Sequence, residues 1–112
     1  MKVQYYKTQS GRCPVREFIE KIQDDDTYNT IYDHIDTLEI DGYSTLLITE
    51  HVTKLNKDPN LYELRIFYNK IKYRILFTVT NKEQILLHIF IKKTQKTPKK
   101  EVQTALSRIK NI

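Results

Sequence analysis

The stretch that decides the fold is Ile85–Pro98, ILLHIFIKKTQKTP, an apolar run that stops abruptly in lysines and then a proline. In a strand, successive side chains point to opposite faces. That alternation sets Ile85, Leu87, Ile89 and Ile91 on one side and Gln84, Leu86, His88, Phe90 and Lys92 on the other. The two segments before it repeat the pattern. Tyr62, Leu64, Ile66 and Tyr68 alternate with Glu63, Arg65 and Phe67, and Ile71, Tyr73, Ile75, Phe77 and Val79 alternate with Lys72, Arg74, Leu76 and Thr78. Asn69-Lys70 and Asn81-Lys82 separate the three by spacings suited to tight hairpins. The segments are therefore expected to pair as an antiparallel meander with their apolar rows aimed the same way. The opposite face then gathers Arg65, Arg74, His88 and Lys92, a cationic cluster on a rigid platform.

Working outward, Thr97-Pro98 reads as a cap and first-turn pair. Val102, Ala105, Leu106 and Ile109 then follow at the spacing of an amphipathic C-terminal helix. At the other end, Met1–Lys7 reads as an opening strand broken by Ser10-Gly11. From Cys13-Pro14 the residues Val15, Phe18, Ile19 and Ile22 recur at helical spacing to about Gln23. Asp24–Asp26 with Thr27 then marks a break and a new cap. A second helix carries Ile31, Ile35 and Leu38 on one stripe, with Tyr28 and Tyr32 extending it and Asp41-Gly42 closing it. These two helices are expected to form an N-terminal helical hairpin. Between Tyr43 and Asn60 the pattern allows either a short helix or a strand around Glu50–Leu55, before the turn Asp58-Pro59-Asn60. The expectation is a single α+β domain over residues 1–112: an antiparallel meander sheet, an N-terminal helical hairpin and a C-terminal helix.

Charge is distributed unevenly. Residues 1–60 carry 7 Lys/Arg against 11 Asp/Glu, residues 61–91 carry 5 against 2, and residues 92–112 carry 7 against 1. The net +5 thus belongs to the second half, which favours a polyanionic partner, nucleic acid before membrane, because no basic helix with bulky apolar anchors accompanies it. There is no amino-terminal signal pattern and no apolar run of transmembrane length, so a soluble cytoplasmic protein without a membrane partner is expected. The lone Cys13 cannot form an internal disulfide, and no Cys/His spacing for zinc is present; neither a metal nor a cofactor is indicated.

With these elements in place, the chain resembles the RelE/ParE superfamily of bacterial toxins, and within it the phage-derived HigB-like branch. The resemblance is carried by Leu61–Arg65 (LYELR), Tyr73–Phe77 (YRILF), Leu86–His88 running into Phe90–Pro98, and Glu101, Ala105 and Arg108 of the last helix. It implies a RelE-like fold and a ribosome-dependent endoribonuclease acting on translated messenger RNA. It also implies a silencing partner, a HigA-like helix-turn-helix antitoxin. Ile89 stands where many relatives have glycine, and no aromatic residue follows Phe90, so a carboxy-terminal catalytic tyrosine is absent.

Metal-independent RNA cleavage requires a group that takes the ribose 2′-OH proton, cations that neutralise the phosphorane-like transition state, and help for the departing 5′-oxygen. Arg65 and Arg74 are the candidate phosphate clamp, since a guanidinium donates two parallel hydrogen bonds and stays protonated. Lys92 and Lys96 are candidate proton-transfer groups, because neighbouring cations lower a lysine pKa into a usable range. His88 is a further candidate, with burial between Leu87 and Ile89 as its alternative reading. Lys93, Lys99 and Lys100 are expected to hold RNA phosphates. Two other functions remain open on this scaffold: a non-enzymatic ParE-like inhibitor of DNA gyrase and a phage regulator that only binds nucleic acid.

Overall fold

The computed structural model describes the whole chain, Met1–Ile112. In chain order its elements are β1 (Lys2–Tyr5), α1 (Pro14–Glu20), α2 (Asp25–Ile48), β2 (Val52–Asn56), β3 (Leu61–Tyr68), β4 (Ile71–Val79), β5 (Glu83–Ile91) and α3 (Lys99–Ile109). The strands form one sheet in the order β1-β5-β4-β3-β2.

This corrects the expectation of a pure antiparallel meander. Strands β2 to β5 do follow one another antiparallel, but β1 lies parallel to β5, with Lys2 opposite Glu83 and Tyr5 opposite Leu86. Tight turns fix the neighbours of β3, β4 and β5. No such turn constrains β1, which is separated from β2 by both helices and adds to the open edge of β5. The ambiguous Glu50–Leu55 stretch supplies β2, whose Val52 packs opposite Leu64.

The expected N-terminal helical hairpin is also absent. Helix α1 is only seven residues long, about 10 Å, against 24 residues in α2. It sets Val15 and Ile19 into the core chiefly against β5 rather than running alongside α2. Helix α2 begins as read, with the Asp24 carboxylate accepting from the Thr27 N–H at 3.0 Å. It bends at Gly42, whose φ of 81° and ψ of 158° lie outside the helical region. The break frees backbone groups, and Gln84 of β5, fully buried, takes them up. Its Oε1 accepts from the Tyr43 N–H at 2.9 Å, and its Nε2 donates to Leu38 O at 3.1 Å and Met1 O at 2.9 Å.

The alternation read along β5 is interrupted by a β-bulge. Leu76 opposes His88 but Phe77 opposes Leu86, so Leu87 is an extra residue and the phase reverses there. Leu86 and Ile89 consequently join Leu64, Ile66, Tyr73, Ile75 and Phe77 under α1 and α2. Leu87 and Phe90 turn to the other face, where Leu61, Leu76 and Tyr6 meet Ala105, Val102, Leu106 and Ile109 of α3. The face expected to be polar is thus half covered by a second apolar cluster. Its uncovered half holds the cations.

Candidate functional site

Arg65 and Arg74 face each other directly across β3 and β4. Like charges in that position destabilise a sheet, and the structure handles the two differently. Arg65 is exposed and makes no ion pair. Arg74 is only 4% exposed, donates from Nη1 to its neighbour's carbonyl, Tyr73 O, at 3.0 Å, and approaches Glu63 Oε1 with Nε at 3.7 Å. That separation is beyond a hydrogen bond, and Arg74 Nε is the one buried side-chain nitrogen or oxygen left without a partner. Burial lowers the Arg74 pKa, Glu63 opposes the change, and Arg65 adds to it.

Glu63, 3% exposed, sits two residues before Arg65 on the same face and accepts a hydrogen bond from the Thr97 hydroxyl. The Thr97 side chain therefore does not cap α3, and Pro98 occupies the N-cap position without a side-chain bond. Instead, the Glu63–Thr97 contact ties the lysine-rich segment after β5 back onto β3. Lys92 is held at the start of that segment by its backbone N–H, which donates to Lys72 O at 2.8 Å. Its ammonium pKa is lowered first by burial, with Glu63 opposing and Arg74, Arg65 and Lys72 adding to the depression.

Arg65, Lys92 and Lys96 line one cavity of 430 Å³ together with Glu63, Thr97 and Thr53. Its single carboxylate is already engaged by Thr97 and lies beside Arg74, so the free groups in it are cationic. Arg65 also lines a second depression, of 410 Å³, with Arg74, Phe67, Lys72, His34 and His51. Lys93 lies in a third, of 550 Å³, with Lys70, Lys72 and Lys92. Lys99 and Lys100 are exposed in the first turn of α3 and line none of the three.

His88 is on the same sheet face but apart from this group. Its Nε2 is 2.9 Å from Glu101 Oε1 and its Nδ1 is 3.3 Å from Arg108 Nη1, while the same Arg108 nitrogen donates to Leu87 O at 2.7 Å. The imidazole thus fastens α3 to β5. Residues overlooked by sequence reasoning are Glu63 and Thr97. The parity of Glu63 with Arg65 in LYELR was available as a signal; the Thr97 contact, across 34 positions, was not. No group of three or more His, Cys, Asp or Glu side chains is arranged to hold a metal ion. No helix is long and apolar enough to cross a membrane.

Fold and site together define a class: a small α+β protein that displays a cationic hollow beside the middle strands of a mixed sheet. Residues 17–110 match the family described as Phage derived protein Gp49-like (DUF891), and the chain belongs to that family. The family falls within the RelE/ParE-like toxins, the toxic components of toxin-antitoxin systems, which act opposite an antitoxin and in the Gp49-like case are in general endoribonucleases. No curated protein matches the chain.

Proposed function

We propose that this chain is the toxin of a type II toxin-antitoxin pair of the HigB-like branch. In this reading it is a cytoplasmic, metal-independent endoribonuclease that cuts messenger RNA on the ribosome and is silenced by a HigA-like helix-turn-helix antitoxin. The observation that carries the reading is the convergence of exposed Arg65 with Lys92 and Lys96 on one hollow whose only carboxylate is already engaged.

In this reading Arg65 grips the non-bridging oxygens of the scissile phosphate, where its fork strengthens as charge builds in the transition state. Arg74, almost fully buried, acts through the field it adds beneath Arg65 and through its share in lowering the Lys92 pKa. The neutral Lys92 amine takes the 2′-OH proton as the 2′-oxygen attacks phosphorus. The P–O5′ bond breaks, and the leaving 5′-oxygen takes a proton from the Lys96 ammonium. The products are a 2′,3′-cyclic phosphate and a 5′-hydroxyl. Lys93, Lys99 and Lys100 supply affinity for flanking phosphates or ribosomal RNA.

Primer extension on transcripts after induction tests the proposal. New 5′ ends should appear within translated regions, and Arg65→Ala should lower their yield by about 10²–10³-fold without lowering the melting temperature. Growth arrest with intact transcripts would count against the reading and return the gyrase-directed alternative, whereas RNA affinity without growth arrest would return the binding-only one; neither uses a proton-transfer lysine.

A further inference from the structure

Phe67 is 64% exposed in the penultimate position of a strand whose Leu61, Tyr62, Leu64 and Ile66 are buried. It shares its sheet face with Glu63 and Arg65 and stands directly opposite Lys72 on β4. The hollow it lines holds no other hydrophobic residue; around the ring are Arg65, Arg74, Lys72, His34 and His51, with Glu50 the only carboxylate. An apolar ring set singly among cations is poorly suited to a protein interface, whose core is depleted in lysine and built from contiguous apolar groups. It does suit a nucleotide, which offers a flat π-face joined to a phosphate.

The two histidines are set up to meet the polar edge of such a ligand. His34 Nδ1 lies 2.8 Å from Thr30 O, which can only accept, so in the neutral ring Nδ1 carries the proton and Nε2 is an acceptor. The Thr49 hydroxyl donates to Leu46 O at 3.3 Å and therefore accepts from His51 Nδ1 at 2.9 Å, which leaves His51 Nε2 an acceptor too. Amino groups of a base or a ribose hydroxyl are the complementary donors. The volume of 410 Å³ lies in the range of about 300–1,000 Å³ typical of small-ligand sites. Arg65 belongs to both this hollow and the one containing Lys92 and Lys96, so a phosphate on Arg65 would place the adjoining nucleoside over Phe67.

We propose that the Phe67 hollow is a nucleobase subsite, in which the base next to the phosphate held by Arg65 stacks on the Phe67 ring with His34 and His51 at its edge. This rests on the ribonuclease reading but is tested separately. The chain contains no tryptophan, so Phe67→Trp installs a single indole reporter at an exposed position. The probe is a short single-stranded RNA with 2′-O-methyl riboses, which cannot be cut, compared with the same oligomer abasic at every position. Saturable quenching of the indole by the first and none by the second is expected. In parallel, Phe67→Ala should weaken binding of the intact oligomer by about 5- to 150-fold, the alanine-substitution range for one stacked base, and Phe67→Tyr should restore it.

A silent indole, or equal RNA affinity in wild type and Phe67→Ala, overturns the subsite; if transcripts are still cut in cells, the nuclease reading survives that result. Stacking without any transcript cleavage keeps the subsite and removes the nuclease. Shielding of the indole by the antitoxin alone, with no response to RNA, reassigns the face to protein binding and overturns the proposal.

Discussion

Replacing Glu63 by glutamine should unfold the protein more readily than its small change in shape suggests, and the loss should be largely recovered by a second change at Arg74. Both side chains are almost fully buried, and Arg74 Nε lies 3.7 Å from Glu63 Oε1. At an effective dielectric of about 20 that separation corresponds to about 4.5 kcal/mol of attraction, most of which offsets the cost of taking two charges out of water. Glu63→Gln removes the attraction and leaves the cost. The Arg74 guanidinium then remains buried, opposite Arg65, with an amide NH₂ in place of a carboxylate oxygen. The expected penalty is about 3–5 kcal/mol, which for a chain of 112 residues lowers the melting temperature by about 12–20 °C. Arg74→Met alone strands the carboxylate with only Thr97 as partner and should cost a similar amount. The double variant Glu63→Gln/Arg74→Met buries no charge at this point and should lie at least about 2 kcal/mol above the sum of the two singles. Urea denaturation of the four proteins closes the cycle. If the single-site losses add to within about 0.5 kcal/mol, the two groups are not coupled, and the electrostatic account of this part of the sheet is wrong.

Three further outcomes follow from the same geometry. Folding lowers the Lys92 pKa, so the charged ammonium is the disfavoured form; its penalty is full below the folded pKa and fades as pH rises from there toward the ordinary lysine value. Lys92→Met should therefore raise the denaturation midpoint at neutral pH and flatten its rise into the alkaline range, while cutting RNA cleavage by about 10²-fold or more. Gln84→Leu leaves the Tyr43 N–H and Leu38 O at the Gly42 bend without their partner and should cost about 2–4 kcal/mol by thermal denaturation, with amide exchange accelerating at Tyr43. Asn69 and Lys70 both hold positive φ, 51° and 64°, in the β3–β4 turn, so Lys70→Gly relieves left-handed strain and should add about 0.5–1 kcal/mol of stability by the same assay.

The parts of the fold that could be read from the chain are those governed by local rules. Alternation in β3 and β4, the Asp24 cap and the α3 stripe each depend on neighbours within a few residues, whereas Asp41-Gly42, expected to close α2, only bends it and the helix runs on to Ile48. The misreadings share a different origin. The parallel seat of β1 is set by the free edge of β5, more than seventy positions away in sequence, and no turn announces it. The bulge at Leu87 is hard to see in the sequence because Ile85, Leu86, Ile89 and Phe90 supply apolar residues in both phases around it. The spacing of Val15, Phe18, Ile19 and Ile22 predicts a helix to about Gln23 long enough to pair with α2, yet the helix ends at Glu20. At the site, side-chain parity correctly grouped Arg65 and Arg74 on one face, but it could not show that one would be exposed and the other buried. Arg74 lies against buried Glu63, which Thr97 ties to the segment after β5, whereas Arg65 faces two open hollows.

What separates a structural charge from a chemical one on this sheet is whether the fold satisfies it. His88 has a partner on each ring nitrogen, Glu101 and Arg108, and its removal is a matter of how firmly α3 is attached. Arg65, Lys92 and Lys96 have no ion-pair partner, and Arg74 Nε is buried with none at hydrogen-bond distance. A sequence selected only for stability would place apolar residues at such central positions, since a buried ion pair is at best about neutral against well-packed hydrocarbon. Two facing arginines and a half-buried lysine concentrate the unfavourable terms of the whole sheet beside one hollow. The repulsion between the arginines is relieved by a single event, the arrival of a phosphate, whose charge pairs with Arg65 and screens it from Arg74. It follows that an RNA mimic at one fixed concentration should stabilise the wild-type protein more than Arg65→Ala or Lys92→Met, because each variant has lost a cation that the phosphate would pair with.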